Sequence, residues 1–81
     1  MQGMEWINPE KRRYYRATVQ HDLLGFTVVV RDYGSLDTAR GGRQVDIADS
    51  AQDADRLIQQ IAKVRRRHGY VRIASPAPHS P

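Results

Sequence analysis

The residue types best suited to contacting a ligand stand at the end of one apolar run. The stretch FTVVVRDYG, residues 26–34, passes from three valines to Arg31, Tyr33 and Gly34. Side chains alternate along a strand, so Arg31 and Tyr33 are expected on the same side. A guanidinium group binds phosphate oxygens in a bidentate manner, and an aromatic ring stacks on nucleobases. The spacing therefore predicts a contact with nucleic acid, with Gly34 allowing a backbone or ligand to approach closely.

Two interpretations of this strand end remain open. In the first, Arg31 and Tyr33 face a ligand at the rim of a sheet. In the second, Tyr33 covers a small core and Gly34 only opens a turn, because tyrosines are intermediate in burial and often pack. The packing of the Tyr33 ring distinguishes the two.

Four further arginines are candidates for phosphate contacts around this strand end. They are Arg13, Arg16, Arg40 and Arg43. The first two alternate with Tyr14 and Tyr15, and basic residues interleaved with aromatic ones are typical of surfaces that bind single strands or strand ends. The alternative for this pair is a solvated strand face, on which arginine stems cover apolar surface.

The densest positive charge lies in residues 63–67, at the end of a predicted helix that begins with acidic residues. Acidic residues at the start of a helix and basic residues at its end complement the helix dipole, each contributing about 0.3–1 kcal/mol. This explains the cluster structurally, and a phosphate contact is compatible with it.

Catalytic patterns are missing from the chain. His21, His68 and His79 are far apart in sequence, and neither H-E-x-x-H nor G-x-S-x-G occurs. Nothing makes the scattered aspartates a metal site rather than ion-pair partners for the many arginines. We therefore expect a protein that is not an enzyme and that needs no metal or cofactor.

The composition is that of one small basic domain. The 81 residues carry a net charge of +4, and eleven of the 13 basic residues are arginine. Arginine richness favours a nucleic-acid partner, although a GC-rich coding sequence gives the same bias. No cysteine is available for disulfides, and no apolar run approaches the roughly 18 residues that span a bilayer. We expect a cytoplasmic protein with no membrane contact, and a monomer, since the dense charge on the helix opposes self-association.

Hydrophobic periodicity indicates which elements position these side chains. Strands are predicted at 12–20, 26–33 and 43–48, with a short strand around Trp6 and Ile7, an edge strand at 70–73 and a loop at 34–42. A helix is predicted over about 50–68, with Ser50 as its N-cap, Asp53 completing a capping-box-like pair, and Gly69 ending it.

This order of elements predicts an α+β domain, a small antiparallel sheet of about four to five strands with one helix packed on one face. The single domain covers residues 1–73, and residues 74–81, rich in proline and serine, are expected to form a disordered tail.

Three motifs in this order resemble the WGR domain family. The first is Asn8-Pro9-Glu10-Lys11 followed by Tyr14-Tyr15-Arg16; the second is Val30-Arg31-Asp32-Tyr33-Gly34; the third is Lys63-Val64-Arg65-Arg66-Arg67-His68-Gly69-Tyr70. The resemblance covers roughly residues 8–72 and implies an antiparallel sheet with one helix against it. It also implies DNA contact, since family members in DNA-repair ADP-ribosyl polymerases contact DNA at a strand end.

The chain departs from the family at the signature itself. Tyr33 stands where the family has Trp, Gly34 is kept, and Ser35 stands where the family has Arg. A tyrosine keeps a flat ring for stacking, but the loss of the arginine removes a charge that could bind phosphate. Arg40 and Arg43 are candidates to replace that charge from another position.

The resulting expectation is a non-catalytic nucleic-acid-binding module that recognises DNA ends or single strands of DNA or RNA. The alternative is a protein–protein interaction module that serves a co-encoded or fused enzyme, because exposed arginines are common at interface hot spots.

Overall fold

The computed structural model describes residues 3–73 as one sheet with one helix against it. The elements are β1 (Gly3–Asn8), β2 (Arg13–His21), β3 (Thr27–Ser35), β4 (Gly41–Ala48), α1 (Ala51–Arg67) and β5 (Val71–Ile73). The strand order is β4-β3-β2-β1-β5, and every neighbouring pair is antiparallel. The predicted α+β class is confirmed. The predicted tail, 74–81, lies outside the described residues.

The core lies between α1 and one side of the sheet, which we call the helix-side face. The sheet contributes buried Trp6, Tyr15, Ala17, Val29 and Ala48, and the helix contributes Ala54, Ile58 and Ile61. The three helical positions are spaced by four and three residues, so they form one stripe along α1. The other side of the sheet, which we call the open face, is not covered by any described element.

The ends of α1 follow the predicted capping pattern. Ser50 Oγ accepts a hydrogen bond from the backbone N–H of Asp53 (3.0 Å), and the Asp53 carboxylate accepts one from the N–H of Asp49 (3.0 Å). The hydrogen bond from Asp49 and the nearby Arg56 guanidinium together hold the pKa of Asp53 below its ordinary value. The Asp53 carboxylate therefore stabilises the folded domain at pH values above the ordinary aspartate pKa of about 3.9. This contribution is lost as the pH falls through the lower pKa that Asp53 has in the folded state. Gly69, just past the helix, has φ +82°, the left-handed conformation that glycine favours.

The β3–β4 hairpin differs from its prediction, because both strands run further into the predicted 34–42 loop. Gly34 pairs directly with Gly41, and a Cβ on Gly34 would overlap the carbonyl oxygen of Arg40. The Tyr14 ring lies over this pair on the open face, 3.1 Å from where the Gly34 Cβ would be. These glycines therefore act as strand residues that admit close packing, and the loop shrinks to residues 36–40.

Candidate nucleic-acid interface

The strand register divides the seven predicted site residues between two faces and a loop. Arg13, Arg31 and Tyr33 lie on the helix-side face; Arg16, Gly34 and Arg43 lie on the open face; Arg40 lies in the β3–β4 loop. Arg31 and Tyr33 do share one side of β3, as their spacing requires. A single surface can therefore include only Arg13, Arg31 and Tyr33, with the β3–β4 loop at its margin.

Tyr33 is both a packing residue and a partly exposed one. Its ring stacks on the buried ring of Tyr15, with centroids 5.6 Å apart and planes 18° from parallel. It also extends over Gly42, since a Cβ there would lie 2.9 Å from the Tyr33 ring. Gly42 has no side chain, so the Tyr33 ring packs close to its backbone. Tyr33 is half-buried in this position and retains surface for a ligand.

Tyr15, on the neighbouring strand, is the centre of an aromatic cluster beside Tyr33. Trp6 and Tyr70 each meet the Tyr15 ring edge-on, at centroid distances of 6.1 and 6.3 Å. Edge-to-face aromatic pairs contribute about 0.5–1.5 kcal/mol beyond their area burial. The cluster therefore gives Tyr33 a rigid base, which reduces the entropy lost when the ring binds a partner.

Arg31 is held beside the cluster by charge. Its Nε lies 2.8 Å from Oδ2 of Asp46, although neither atom has hydrogen-bond geometry, so the contact is an ion pair without an aligned bond. Burial lowers the pKa of Arg31, but the Tyr15 hydroxyl and Asp46 raise it, and the net pKa lies above the ordinary arginine value. The guanidinium is thus positioned, charged and partly exposed.

Arg65 of α1 completes the surface and was not among the predicted site residues. Its guanidinium carbon lies 4.2 Å from the Tyr15 ring centroid and 5.0 Å from that of Tyr70. Its Nε is buried and has no hydrogen-bond partner among residues 3–73. The sequence does hold a signal for this position, because Arg65 lies four residues after Ile61 and so continues the buried stripe of the helix.

A cleft of about 200 Å³ lies between these arginines. It is lined by Tyr15, Arg31, Leu57, Gln60, Ile61, Val64 and Arg65. Arg13 lies on the same face, two residues from Tyr15 along β2, and has no carboxylate within 4 Å in the described part of the chain. Two guanidinium groups beside stacked rings can bind phosphate oxygens and the faces of bases at once.

The arginines of the open face are neutralised by neighbouring carboxylates. Arg16 Nε lies 3.1 Å from Glu5, and Arg43 Nε lies 2.7 Å from Asp32. Gly34 is buried on this face under the Tyr14 ring. The exposed Arg40 has no carboxylate within 4 Å among residues 3–73. The structure therefore does not bring Arg16, Gly34 and Arg43 into one surface with Tyr33.

Metal-ligating side chains do not gather in groups of three or more anywhere between residues 3 and 73. Within the same span, α1 is not long and apolar enough to cross a membrane.

The fold and this surface define a small α+β binding domain with a basic face that contains aromatic rings. The WGR domain family matches residues 4–77, and the chain belongs to that family. The predicted resemblance is thereby confirmed, and WGR domains are in general nucleic-acid-binding modules. Searches of curated proteins and of solved structures gave no match.

Proposed function

We propose that this domain binds nucleic acid without catalysis, through the surface formed by Tyr33, Arg31, Arg65 and Arg13. We call this the Tyr33 surface. The observation that carries the proposal is the half-buried Tyr33 ring, stacked on Tyr15 and flanked by a positioned Arg31. Arg40, in the neighbouring loop, is a further phosphate partner, whereas Arg16 and Arg43 lie outside the surface.

The Tyr33 surface favours strand ends and single strands over the interior of a duplex. The Tyr33 ring is held against Tyr15 and the backbone of Gly42, so it can stack only on a base whose face is already exposed. Such bases occur in single strands and at ends, and stacking there contributes about 1–3 kcal/mol per base. The flanking guanidinium groups bind phosphates of any sequence, so we expect little sequence preference.

Protein binding is a second candidate function, and the open face favours it. Val45 and Ile47 are 53% and 66% exposed there. No described residue covers them, and apolar patches of this kind mark interaction sites. A protein partner on the open face is compatible with nucleic acid on the Tyr33 surface.

The proposal is tested by titrating the chain into labelled single-stranded, blunt and overhanging oligonucleotides at about 50 and 200 mM salt. Tyr33→Ala should weaken binding about tenfold to a hundredfold, from the loss of stacking. Phe26→Ala is the matched control, because it removes a ring that is half exposed in the β2–β3 hairpin, at the opposite end of β3 from Tyr33. Its affinity should equal that of the unmodified chain.

Binding should fall steeply with salt, because phosphate contacts release counterions. Absence of binding to every oligonucleotide at both salt concentrations would remove the proposal. If Tyr33→Ala unfolds the domain in a thermal melt, the ring acts in packing, and Arg65→Ala then tests the surface. Equal losses for Tyr33→Ala and Phe26→Ala would contradict the assignment of binding to the Tyr33 surface.

A further inference from the structure

Strand β4 forms one edge of the sheet and exposes apolar side chains that its inner neighbour buries. On the open face, Val28 and Val30 of β3 are only 6% and 4% exposed. Their partners in β4, Ile47 and Val45, are 66% and 53% exposed. All four side chains point to the same side of one sheet. The difference therefore arises because β3 has a strand on each side and β4 has one on one side only.

The edge of β4 lacks the usual protection against pairing with another strand. It has eight residues without proline or lysine, and all eight pair with β3 in unbroken register, so no bulge twists the edge away. Its two inner charges are already paired, Arg43 with Asp32 and Asp46 with Arg31. The edge therefore offers unpaired backbone groups with little charge repulsion.

The charges along this segment have a polarity that matches a second copy. The basic residues, Arg40 and Arg43, precede or begin β4, whereas the acidic residues, Asp46 and Asp49, end or follow it. Antiparallel pairing of two identical strands places the beginning of each beside the end of the other. With the axis near the middle of β4, each copy's Arg40 lies beside the partner's Asp49 at either end of the interface, which is the self-complementarity that an isologous interface requires. Arg43 and Asp46 take no part in this, because they lie on opposite faces of the sheet and are already paired within the chain.

We propose that two copies of this chain associate through antiparallel pairing of β4 with β4, which extends the sheet to ten strands. The register that fits places the axis at Val45. Val45 then faces the partner's Val45, Gln44 faces the partner's Asp46, and Arg43 faces the partner's Ile47. A shift by two residues toward the C-terminus would instead oppose two Asp46 carboxylates, which is unfavourable.

This arrangement covers the outer flanks of Val45 and Ile47. A two-fold axis perpendicular to the sheet keeps the helices of both copies on the same side. The two β3 strands then lie about 14 Å apart, three strand spacings. The dimer replaces the monomer expected from the charge of α1, because the contact is made by β4.

The first experiment measures sedimentation of the full chain from micromolar concentration to about 1 mM. Val45→Lys places two ammonium groups opposite each other at the axis and should raise the dimer dissociation constant about tenfold or more. Leu24→Lys is the matched control, since Leu24 is 82% exposed in the β2–β3 hairpin, away from the edge. It should leave the dissociation constant unchanged, and thermal melts should show both variants folded.

The second experiment uses the absence of native cysteine. Val45→Cys places one thiol from each copy across the axis, where directly opposed Cβ atoms are about 4.5–5.5 Å apart. This approaches disulfide geometry, so mild oxidation should cross-link Val45→Cys much faster than Leu24→Cys at equal concentration. A monomer at every concentration would overturn the proposal. So would a dimer that survives Val45→Lys but is lost in Leu24→Lys, because the hairpin would then form the contact. Equal cross-linking rates for the two cysteine variants would likewise overturn it.

Discussion

The two faces of the sheet carry similar numbers of arginines but differ in what surrounds them. On the open face, Arg16 and Arg43 are each paired with a carboxylate at 3.1 and 2.7 Å. On the helix-side face, Arg31 is likewise paired with Asp46 at 2.8 Å. Arg65, which packs on aromatic rings, and Arg13 have no carboxylate within 4 Å in the described residues. The positive charge available to a ligand therefore depends on the neighbours of each arginine. The net charge of the chain does not reveal this difference.

Each face also has a tyrosine lying over strand glycines, and the two arrangements differ in rigidity. Tyr14 covers Gly34 and Gly41 on the open face, where the backbone of the neighbouring strand is also in contact. Tyr33 covers Gly42 on the helix-side face, where the three atoms nearest to a Cβ at Gly42 all belong to the Tyr33 side chain. A side chain can move aside more easily than backbone, so the two sites should differ in their tolerance of a methyl group.

The largest expected effect is on stability, at Gly34. Gly34→Ala forces a methyl group onto the Arg40 carbonyl and the Gly41 backbone and should lower the free energy of unfolding by about 3 kcal/mol. Gly42→Ala, the matched control, places a methyl group first against the Tyr33 ring, which can move aside, and should lower the free energy of unfolding by about 1 kcal/mol. Urea denaturation of the two variants measures both values. Equal losses would show that the hairpin relaxes around Gly34, contrary to the close approach described above.

The next largest effect is the loss of stability when a valine is shortened to alanine, which we compare between the two faces. Val29 is fully buried against α1, whereas Val71 is 59% exposed on the open face. Val29→Ala should lower the free energy of unfolding by about 2 kcal/mol, from lost burial and the cavity left behind. Val71→Ala should lower it by about 0.5 kcal/mol or less. The shift of the urea midpoint measures both losses in the free energy of unfolding. A loss for Val71→Ala as large as that for Val29→Ala would show that the open face is covered in solution.

A smaller effect on stability than that of Val29→Ala is expected at Arg65. Arg65→Ala removes the cation–π contact with Tyr15 and should lower the free energy of unfolding by about 1 kcal/mol. It should also weaken nucleic-acid binding and reduce the slope of log affinity against log salt by about 1, as the loss of one phosphate contact does. Arg67→Ala is the control, because Arg67 is exposed. If both variants bind alike, the contact lies elsewhere on the helix end.

Elements with a strong local pattern were predictable from the sequence. The periodicity of α1, the Ser50 cap and the Gly69 end appear in the structure as predicted. The alternation that puts Arg31 and Tyr33 on one side of β3 also holds. These features depend on residues close together in the chain, so spacing alone determines them.

Features that depend on register between strands were not predictable. The pairing of Gly34 with Gly41 turned a predicted turn into strand, because it depends on how β3 aligns with β4. The ion pair of Arg43 with Asp32 joins residues 11 positions apart, and sequence offers several other carboxylates for that arginine. Arg65 stayed unassigned because a basic helix end explains its charge without reference to Tyr15.

The measurement that tests the central claim most directly is an amide and side-chain NMR titration of the chain with a short single-stranded oligonucleotide. The account predicts that the largest shifts fall on Arg13, Arg31, Tyr33 and Arg65, and that Arg16 and Arg43 on the open face shift little. Shifts concentrated on Arg16 and Arg43, or no shifts at saturating oligonucleotide, would contradict it.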